Sequence, residues 1–403
     1  MMITELQKAA RNLKGGHFMK KSVKKVLAAV LALALIALSF SACGGKEGNK
    51  TSGDNYAANN TEYFIGTTGP LTGDNASYGN SVKNGATIAI EEINAAGGLN
   101  GVKFKFDMKD DKATAQDATT GYNSLLEAGM QISLGSVTTD SCDAFGASAV
   151  EDNLFFITPS ASAAKVIDGR DNGFRVCFGD PDQGTLAADD LSKNYKNIGV
   201  IYNTSDTYST GVFDAFKAEM DAKGVTFKTA TFDAENNKDF STQIEQLKDC
   251  DVIFLPMYYQ EGSLICKAAT AKGCKADLVG TDGFDGIADL IDSKTVTNKV
   301  KYITPFDADS KDATVSKFVT AYKAKYNETP DQFAADAYDA VYAIFNAMKA
   351  AGVNDVTISP SDLCEKVKAA ITADGFTLTG ATGTMSWDAS GACKKELQFK
   401  DVL

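Results

Sequence analysis

The feature that most constrains the fold is an alternation of short apolar runs with helix-length segments, which continues from Glu62 almost to the end of the chain. Val102, Phe104 and Phe106 alternate with charged residues, and this period of two indicates a strand. Residues 80–96 instead carry apolar side chains at helical spacing, and two glycines follow as a stop signal. Strands that alternate with helices indicate parallel sheets built from βαβ units, so we predict an α/β fold.

The length of the chain indicates two such sheets. The 403 residues exceed what one hydrophobic core usually holds. Further short apolar runs, each separated from the next by room for a helix, predict strands at 132–134, 155–157, 198–201 and 252–255. We therefore predict two doubly wound lobes, each containing a parallel sheet.

The first 42 residues are predicted to be a leader and signal peptide that does not belong to the fold. Four lysines between positions 20 and 25 precede a 15-residue apolar run, which ends before Ser41-Ala42-Cys43. A transmembrane helix needs about 20 apolar residues, whereas the core of a signal peptide has about 7–15. Met19, followed by lysines, resembles a natural start, so both Met1 and Met19 stay open as the first residue.

The segment Leu38 to Cys43 resembles a bacterial lipobox, in which the cysteine is lipidated and becomes the mature N-terminus. The resemblance implies that Cys43 is the lipid attachment site, while ordinary cleavage with Cys43 as a bystander stays an alternative. Each buried acyl CH₂ contributes about 0.8 kcal/mol, so more than one chain would anchor the protein without a spanning helix. Residues 43–61 are polar and rich in glycine, which predicts a flexible tether.

Composition narrows the classes of function. The formal net charge is −12, and loss of the leader makes it more negative because the leader carries seven Lys/Arg and one Glu. This charge argues against nucleic acid as a partner and against adsorption to anionic lipid. The only histidine, His17, lies in the leader, which argues against triad catalysis and against histidine-bearing zinc sites. We expect no enzyme, no cofactor and no metal, although carboxylate chemistry alone stays open.

The cysteines provide no motif. Beyond Cys43, seven cysteines fall at unrelated spacings and none forms a CxxC pair. An odd number leaves at least one thiol unpaired within the chain, and the pairing cannot be derived from sequence. We expect small buried side chains and leave one disulfide open.

Polar and aromatic residues follow the predicted strands. In open parallel sheets, ligands bind beyond the carboxyl ends of the strands, where helices present their N-termini. Hydroxyls, aromatic rings and an acid recur there without lysine or arginine, at Tyr78, Thr138, Thr139, Ser160, Ala161, Ser162, Tyr208, Tyr258 and Asp282. This combination suits a small neutral or zwitterionic ligand, since hydroxyls and N–H groups bind a carboxylate and an acid binds an ammonium.

Each of these residues also has a purely structural interpretation. Thr139 and Ser162 are equally compatible with helix N-caps. Asp282 precedes a glycine, and this pair is common in turns. Tyr78, Tyr208 and Phe333 are also compatible with simple packing.

The run Ile65–Gly73, followed by Tyr78-Gly79 and Glu91–Gly101, resembles the start of the leucine/isoleucine/valine-binding proteins. These are type I periplasmic binding proteins, and many are solute-binding lipoproteins of ABC transporters. Further matches, at family spacing, are Asp110-Asp111, Thr158–Ser162, Lys238–Ser241 and Tyr338–Val341, so the resemblance spans roughly residue 62 to the C-terminus.

The resemblance implies two lobes joined by three crossovers, which close on the ligand like a hinged clamp. We place the crossovers near Gly179–Pro181, Thr304–Phe306 and Gly380–Thr384. Lobe 1 would then contain residues 62–180 plus 307–383, and lobe 2 residues 181–306 plus 384–403.

The resemblance also implies roles for individual residues. Thr139 and Ser162 would hold the ligand carboxylate, while the carbonyl of Ser160 and the side chain of Asp282 would accept from the ammonium. Asp282 replaces a longer glutamate, so the ligand would sit closer to lobe 2 or a water would bridge. The pocket wall would be formed by Tyr78, Thr138, Tyr208, Tyr258 and Phe333.

The implied function is an extracytoplasmic receptor of an ABC importer that delivers a small, branched-chain or similar apolar amino acid to a membrane permease. We expect a monomer that touches the membrane only through its lipid anchor.

The same receptor with an amide, urea or aromatic acid as ligand stays an alternative. A sensory module is a second alternative, although such a module would continue into a transmembrane helix or signalling domain and this chain ends at Leu403. The sequence leaves open whether the envelope has one membrane or two.

Overall fold

The computed structural model describes residues 55–403, so the predictions for the leader, for Cys43 and for most of the tether lie outside the described residues. Two parallel sheets organise the fold. The first contains β1 (Tyr63–Gly69), β2 (Phe104–Asp110), β3 (Ile132–Ser133), β4 (Phe156–Thr158) and β5 (Gly173–Arg175). The second contains β6 (Ile198–Asn203), β7 (Lys228–Phe232), β8 (Val252–Leu255), β9 (Asp277–Gly280), β10 (Val300–Thr304) and, near the C-terminus, β13 (Gln398–Asp401).

Helices connect the strands. The described helices are α1 (Ala76–Ala95), α2 (Ala115–Glu127), α3 (Thr139–Glu151), α4 (Asp180–Asn194), α5 (Thr207–Ala222), α6 (Ser241–Leu247), α7 (Tyr259–Ala271), α8 (Ala313–Tyr326), α9 (Gln332–Ala350) and α10 (Pro360–Ile371). A small antiparallel pair, β11 (Leu378–Gly380) with β12 (Gly383–Met385), follows α10.

The order of the strands is that of two doubly wound sheets. The first sheet runs β2-β1-β3-β4-β5 and the second β13-β10-β9-β8-β6-β7. The strand pairs are parallel except that β13 lies antiparallel to β10. The predicted fold class, two parallel-sheet lobes, is confirmed. Both sheets therefore present the carboxyl ends of several strands, which is where such folds bind ligands.

Close packing of α9 on α1 completes the first lobe. Helix α9 is buried along most of its length, and it ties the chain after β10 back to the first lobe. Gly85 of α1 makes the approach possible, because a Cβ there would lie 1.9 Å from the carbonyl oxygen of Ala334. Side chains cap the N-termini of several helices, which fixes where they begin; the capping residues are Thr114, Asp206, Asp312, Asp331 and Ser359.

Three segments pass between the sheets. The first joins β5 to α4 and the second joins β10 to α8. The third crossover does not lie near Gly380–Thr384, where we expected it. Trp387 donates from Nε1 to the carbonyl oxygen of Arg175 at 2.7 Å, and the Arg175 N–H donates to the Gly391 carbonyl at 3.0 Å. Since these contacts keep residues 387–391 on the first sheet, we propose that the third crossover lies between Cys393 and Gln398.

The predicted tether is too long at its C-terminal end. Ala57 is fully buried, and Asn55 donates from Nδ2 to the Thr357 carbonyl at 2.9 Å. Asn60 similarly donates to the Gly129 carbonyl at 2.8 Å. The polar composition of this segment predicted a flexible tether. Its asparagine side chains instead form hydrogen bonds that hold it against lobe 1.

Within residues 55–403, no helix combines the length and the apolar character needed to cross a membrane.

The seven cysteines in this part of the chain are buried free thiols. They pack as small apolar side chains, as we expected, and the disulfide that the sequence left open is not present among them.

Candidate functional site

A narrow cavity lies between the carboxyl ends of the two sheets. It has an empty volume of about 260 Å³. Its lining residues come from both lobes: Tyr78, Val137, Thr138, Thr139, Ser160, Ser162, Tyr208, Tyr258, Asp282, Gly283 and Phe333. The lining contains no lysine, arginine or histidine, so its only ionisable groups in the neutral range of pH are carboxyls. A cavity of this size restricts the occupant to a small molecule.

The structure brings together nine of the ten residues predicted from sequence to bind ligand. Ala161 is the exception: it is buried, does not line the cavity, and donates from its N–H to Thr158 Oγ1 at 3.0 Å. Val137 and Gly283 line the cavity but were not predicted. Each is the chain neighbour of a predicted residue, and neither carries a polar side chain that would have marked it.

Asp282 lines the cavity and is held by several hydrogen bonds. It is 4 % exposed and begins a short 3₁₀ turn after β9. Its Oδ1 accepts from Gln183 Nε2 at 2.9 Å and from the Tyr208 hydroxyl. Its backbone N–H donates to Gln183 Oε1, also at 2.9 Å. Because both side-chain donors use Oδ1, Oδ2 is left for a ligand.

Burial raises the pKa of Asp282 to about 6, against the hydrogen bonds from Tyr208 and Gln183, which lower it. At neutral pH the carboxyl is therefore mainly ionised. A buried carboxylate without a cationic neighbour in the cavity lining is suited to a ligand that brings its own positive charge.

Lobe 1 offers hydrogen-bond donors to the same cavity. Thr139 is the first residue of α3, and its N-terminal position leaves its N–H without an intrahelical acceptor. Ser162 follows β4 and is 1 % exposed. The N-cap of α3 is Thr138 rather than Thr139, and Ser162 caps no described helix. The hydroxyls of Thr139 and Ser162 are thus not consumed by helix capping, and they can donate to an anionic group beside a helix N-terminus.

Aromatic rings form the walls. Tyr208 and Tyr258 stack with ring centroids 5.1 Å apart and planes 9° from parallel. Tyr78 lies 4.7 Å from Phe333 and 5.8 Å from Tyr258, centroid to centroid. These rings give the cavity an apolar surface beside its acid and its hydroxyls.

Hydrogen bonds across the cavity hold the two lobes together. The Tyr78 hydroxyl donates to the Gly283 carbonyl and accepts from the Tyr259 N–H at 3.0 Å. The Tyr259 hydroxyl donates to the Asp74 carbonyl at 2.8 Å. Since Asp74 and Tyr78 belong to lobe 1 and the other residues to lobe 2, the described conformation is closed.

Sequence reasoning missed two glutamines that organise the site. Gln183 fixes Asp282 from α4, as described above. Gln332, the first residue of α9, donates from Nε2 to the Asp282 carbonyl at 3.0 Å and from its backbone N–H to Asp285 Oδ2 at 2.9 Å. Both lie far from their partners in sequence, and no local pattern distinguishes them from a surface glutamine.

The described residues contain no group of three or more His, Cys, Asp or Glu arranged to hold a metal ion. What remains is an arrangement for binding: one acid, several hydroxyls, aromatic walls and two lobes that close over them. The fold and site together define a two-lobed solute-binding protein.

Comparison with known proteins agrees with this class. Residues 62–392 match the family model described as "Periplasmic binding protein", and the chain belongs to this family. The resemblance to the leucine/isoleucine/valine-binding proteins, a family of solute-binding proteins rather than enzymes, is thereby confirmed.

Individual relatives are similar over most of their length. The Leu/Ile/Val-binding protein BraC3 of Rhizobium johnstonii is 29% identical over 326 residues, which cover 80% of this chain and 88% of that protein. A leucine-, isoleucine-, valine-, threonine- and alanine-binding protein of Pseudomonas aeruginosa is 29% identical, covering 82% of this chain and 87% of its own. The crystal structure of the branched-chain amino acid transporter substrate-binding protein LivJ from Streptococcus pneumoniae, in complex with isoleucine, superposes with a TM-score of 0.75. It is 28% identical and covers 84% of this chain and 95% of that chain.

Proposed function

We propose that this protein is an extracytoplasmic receptor that binds a branched-chain or similar small apolar amino acid and delivers it to the permease of an ABC importer. The observation that carries the proposal is the cavity that Asp282 lines from lobe 2 and that Thr139 and Ser162 line from lobe 1. The relatives named above, which bind leucine, isoleucine and valine by name, support the same ligand class.

The proposed pose follows from charge. The α-carboxylate accepts from the hydroxyls of Thr139 and Ser162 beside the N-terminus of α3, where the helix dipole also favours an anion. The ammonium donates to Asp282 and to the carbonyl of Ser160, on which no described hydrogen bond ends. The apolar side chain lies against the rings of Tyr78, Tyr258 and Phe333.

Closure makes the receptor selective. A ligand drives closure only by its greater affinity for the closed form than for the open form. Lobe 1 supplies the hydrogen-bond donors and lobe 2 supplies the acid, and both contact the same ligand. A ligand that lacks the carboxylate or the ammonium therefore loses contacts that exist only when the lobes are closed. The closed form is then the one that the permease recognises.

The ligand class is tested by identification and titration together. Native mass spectrometry of the purified protein should detect an amino acid carried through purification. Titration calorimetry with leucine, isoleucine, valine and alanine should then show micromolar or tighter binding for at least one of the first three. Binding of an amide, urea or aromatic acid, with no binding of these four amino acids, would contradict the proposed ligand.

We also propose that Cys43 carries the lipid that holds the receptor at the membrane, on the basis of the lipobox-like segment Leu38–Cys43. Labelling of expressing bacteria with an alkyne fatty acid should mark the wild-type protein. Cys43→Ala should lose the label and appear in the soluble fraction, and a labelled Cys43→Ala variant would refute the anchor.

A further inference from the structure

Two buried residues of opposite charge lie at the first crossover without forming an ion pair. Asp180, the first residue of α4, is 2 % exposed; neither carboxyl oxygen has a hydrogen bond of normal geometry among the described residues, and the Ser162 side chain is the polar neighbour that lowers its pKa. Arg175, the last residue of β5, is 7 % exposed, and its Nε has no hydrogen-bond partner among the described residues. Within residues 55–403, neither side chain takes part in an ion pair. Unpaired buried charges are rare because nothing offsets their loss of water.

The two residues are close but not joined. Both converge on Ser162, whose carbonyl oxygen accepts from Arg175 Nη1 and from the Asp180 N–H at 3.1 Å. The Arg175 guanidinium also lies beside Gly179, since a Cβ on that glycine would be 3.1 Å from Nη2. Only residues 176–179 separate Arg175 on the first sheet from Asp180 on the helix that enters the second lobe.

A hinge rotation therefore acts directly on the distance between these charges. Crossover segments absorb the changes in φ and ψ when lobes of this kind open and close. The described conformation is closed, and in it the charges are separated.

We propose that Arg175 and Asp180 form an ion pair when the lobes open, and that closure on the ligand breaks it. This inference rests on the proposed function, because it assumes that binding drives closure. The pair stabilises the open form relative to the closed form, so part of the ligand's binding free energy is spent on separating the charges. Arg175 and Asp180 are positioning residues, since neither lines the cavity.

The surroundings of Asp180 add a second consequence. Besides Arg175, the ionisable groups that face it are Asp282, Asp206, Tyr208 and Tyr258. Burial raises the pKa of Asp180 well above its usual range in the closed form; Asp282 and Asp206 raise it further, while the Ser162 side chain and the Arg175 guanidinium lower it. Direct contact with the guanidinium lowers this pKa more when the lobes open. Closure should therefore favour the uptake of a proton at Asp180.

The test compares the wild-type protein with Asp180→Asn, which preserves the size of the side chain. The variant cannot form the ion pair, so its open form loses stability, and leucine should bind at least threefold more tightly than to wild type. The control is Asp221→Asn, which removes an exposed acid of lobe 2 and should leave the affinity unchanged. Unchanged or weaker affinity of Asp180→Asn would overturn the proposed ion pair.

Two further measurements separate this inference from the ligand assignment. Small-angle scattering without ligand should give a smaller radius of gyration for Asp180→Asn than for wild type, whatever the natural ligand is. Equal radii would overturn the inference even if leucine binds. Calorimetry in two buffers of different ionisation enthalpy should show proton uptake on leucine binding to wild type and none in Asp180→Asn. Equal uptake by both proteins would contradict the role of Asp180.

Discussion

At the scale of single residues, the site depends on a carboxylate that is costly to bury. The pKa of Asp282 rises from about 3.9 in the unfolded chain to about 6 in the fold. A shift of this size costs about 3 kcal/mol of stability at neutral pH. This loss of stability affects the unliganded protein, and in the proposed pose the ligand ammonium offsets it by pairing with the carboxylate. Residues retained at such a cost are typical of binding sites.

Asp282→Asn should weaken leucine binding by at least tenfold, a loss of about 1.4 kcal/mol, because the neutral amide cannot balance the ammonium. The same variant should unfold at a higher temperature than wild type at pH 7 without ligand, since it removes the buried charge. Calorimetric titration and thermal unfolding check the two effects, with Asp221→Asn as the control. Unchanged leucine affinity would remove Asp282 from the ammonium site.

The affinity should also depend on pH. In the proposed pose the ligand ammonium pairs with ionised Asp282, so leucine affinity should be constant near neutral pH and fall as the pH drops through about 6. The stability of the unliganded protein should change in the opposite sense. Its folded-state pKa lies above the unfolded value, so the contribution of this residue to stability decreases as pH rises from about 4 to about 6. Leucine titrations from pH 5 to 8 test the first effect, and a flat profile would contradict it.

Chemistry at strand ends made most of the site predictable. Thr139, Ser162 and Asp282 each follow an apolar strand, and parallel strands bring their carboxyl ends together. Gln183 and Gln332 escaped prediction because their roles arise only from tertiary contacts across 99 and 50 residues. Asp180 escaped for a related reason, since an aspartate before a proline at a helix start is ordinary until its burial is known.

At the scale of elements, the third crossover is fastened by a buried charged network. Lys395 is 1 % exposed and contacts Asp336 of α9 and the Thr382 hydroxyl. Asp339, one turn later on α9, accepts from the N–H groups of Ala381 and Thr382 at 2.7 and 2.8 Å. The network binds the segment after α10 to lobe 1 just before the chain leaves for β13.

Lys395→Met should lower the free energy of unfolding by about 3–5 kcal/mol, because it leaves two buried acids without their cation. The matched control is Lys394→Met at the neighbouring exposed position, which should change stability by less than about 0.5 kcal/mol. Urea unfolding followed by circular dichroism measures both. A loss in Lys395→Met no larger than that of the control would show that the network does not stabilise the fold.

Strands with continuous apolar runs or a clear period of two were predictable, whereas shorter or more polar strands were not. The runs at 198–201 and 252–255 correspond to β6 and β8, in the middle of the second sheet, and the alternation that begins at Val102 corresponds to β2. β5, of three residues, and β13, with the mostly polar sequence Gln-Phe-Lys-Asp at a sheet edge, gave weaker signals. Edge strands bury one face at most, so their sequence is constrained less.

At the scale of the whole molecule, hydrogen bonds between the lobes should set the balance between open and closed forms. Tyr78 is the clearest of these contacts, because its hydroxyl both donates to and accepts from lobe 2. The Tyr78 ring also lines the cavity, so this one side chain contributes both to closure and to the wall of the binding site.

Tyr78→Phe should weaken leucine binding by about 30-fold, because the closed form loses two hydrogen bonds worth about 1 kcal/mol each. The ring contacts with Phe333 and Tyr258 are preserved. Tyr326→Phe is the control, since that hydroxyl donates to the Asn84 carbonyl within lobe 1 at 3.4 Å and its other hydrogen-bonding neighbours, Thr87 and Lys325, also belong to lobe 1. Small-angle scattering at saturating leucine should show the same compact form for all three proteins, which assigns the loss of affinity to the equilibrium between forms. A Tyr78→Phe affinity equal to wild type would contradict the account.

The most direct measurement of the central claim compares two ligands that differ only in the amine. Leucine and 4-methylpentanoate share the carboxylate and the branched side chain, and only leucine carries the ammonium that Asp282 is proposed to bind. Calorimetric titration of wild-type protein at pH 7.5 should give an affinity for leucine at least 100-fold higher than for 4-methylpentanoate. Equal affinities would contradict the account, because the acid that lines the cavity would then have no part in recognition.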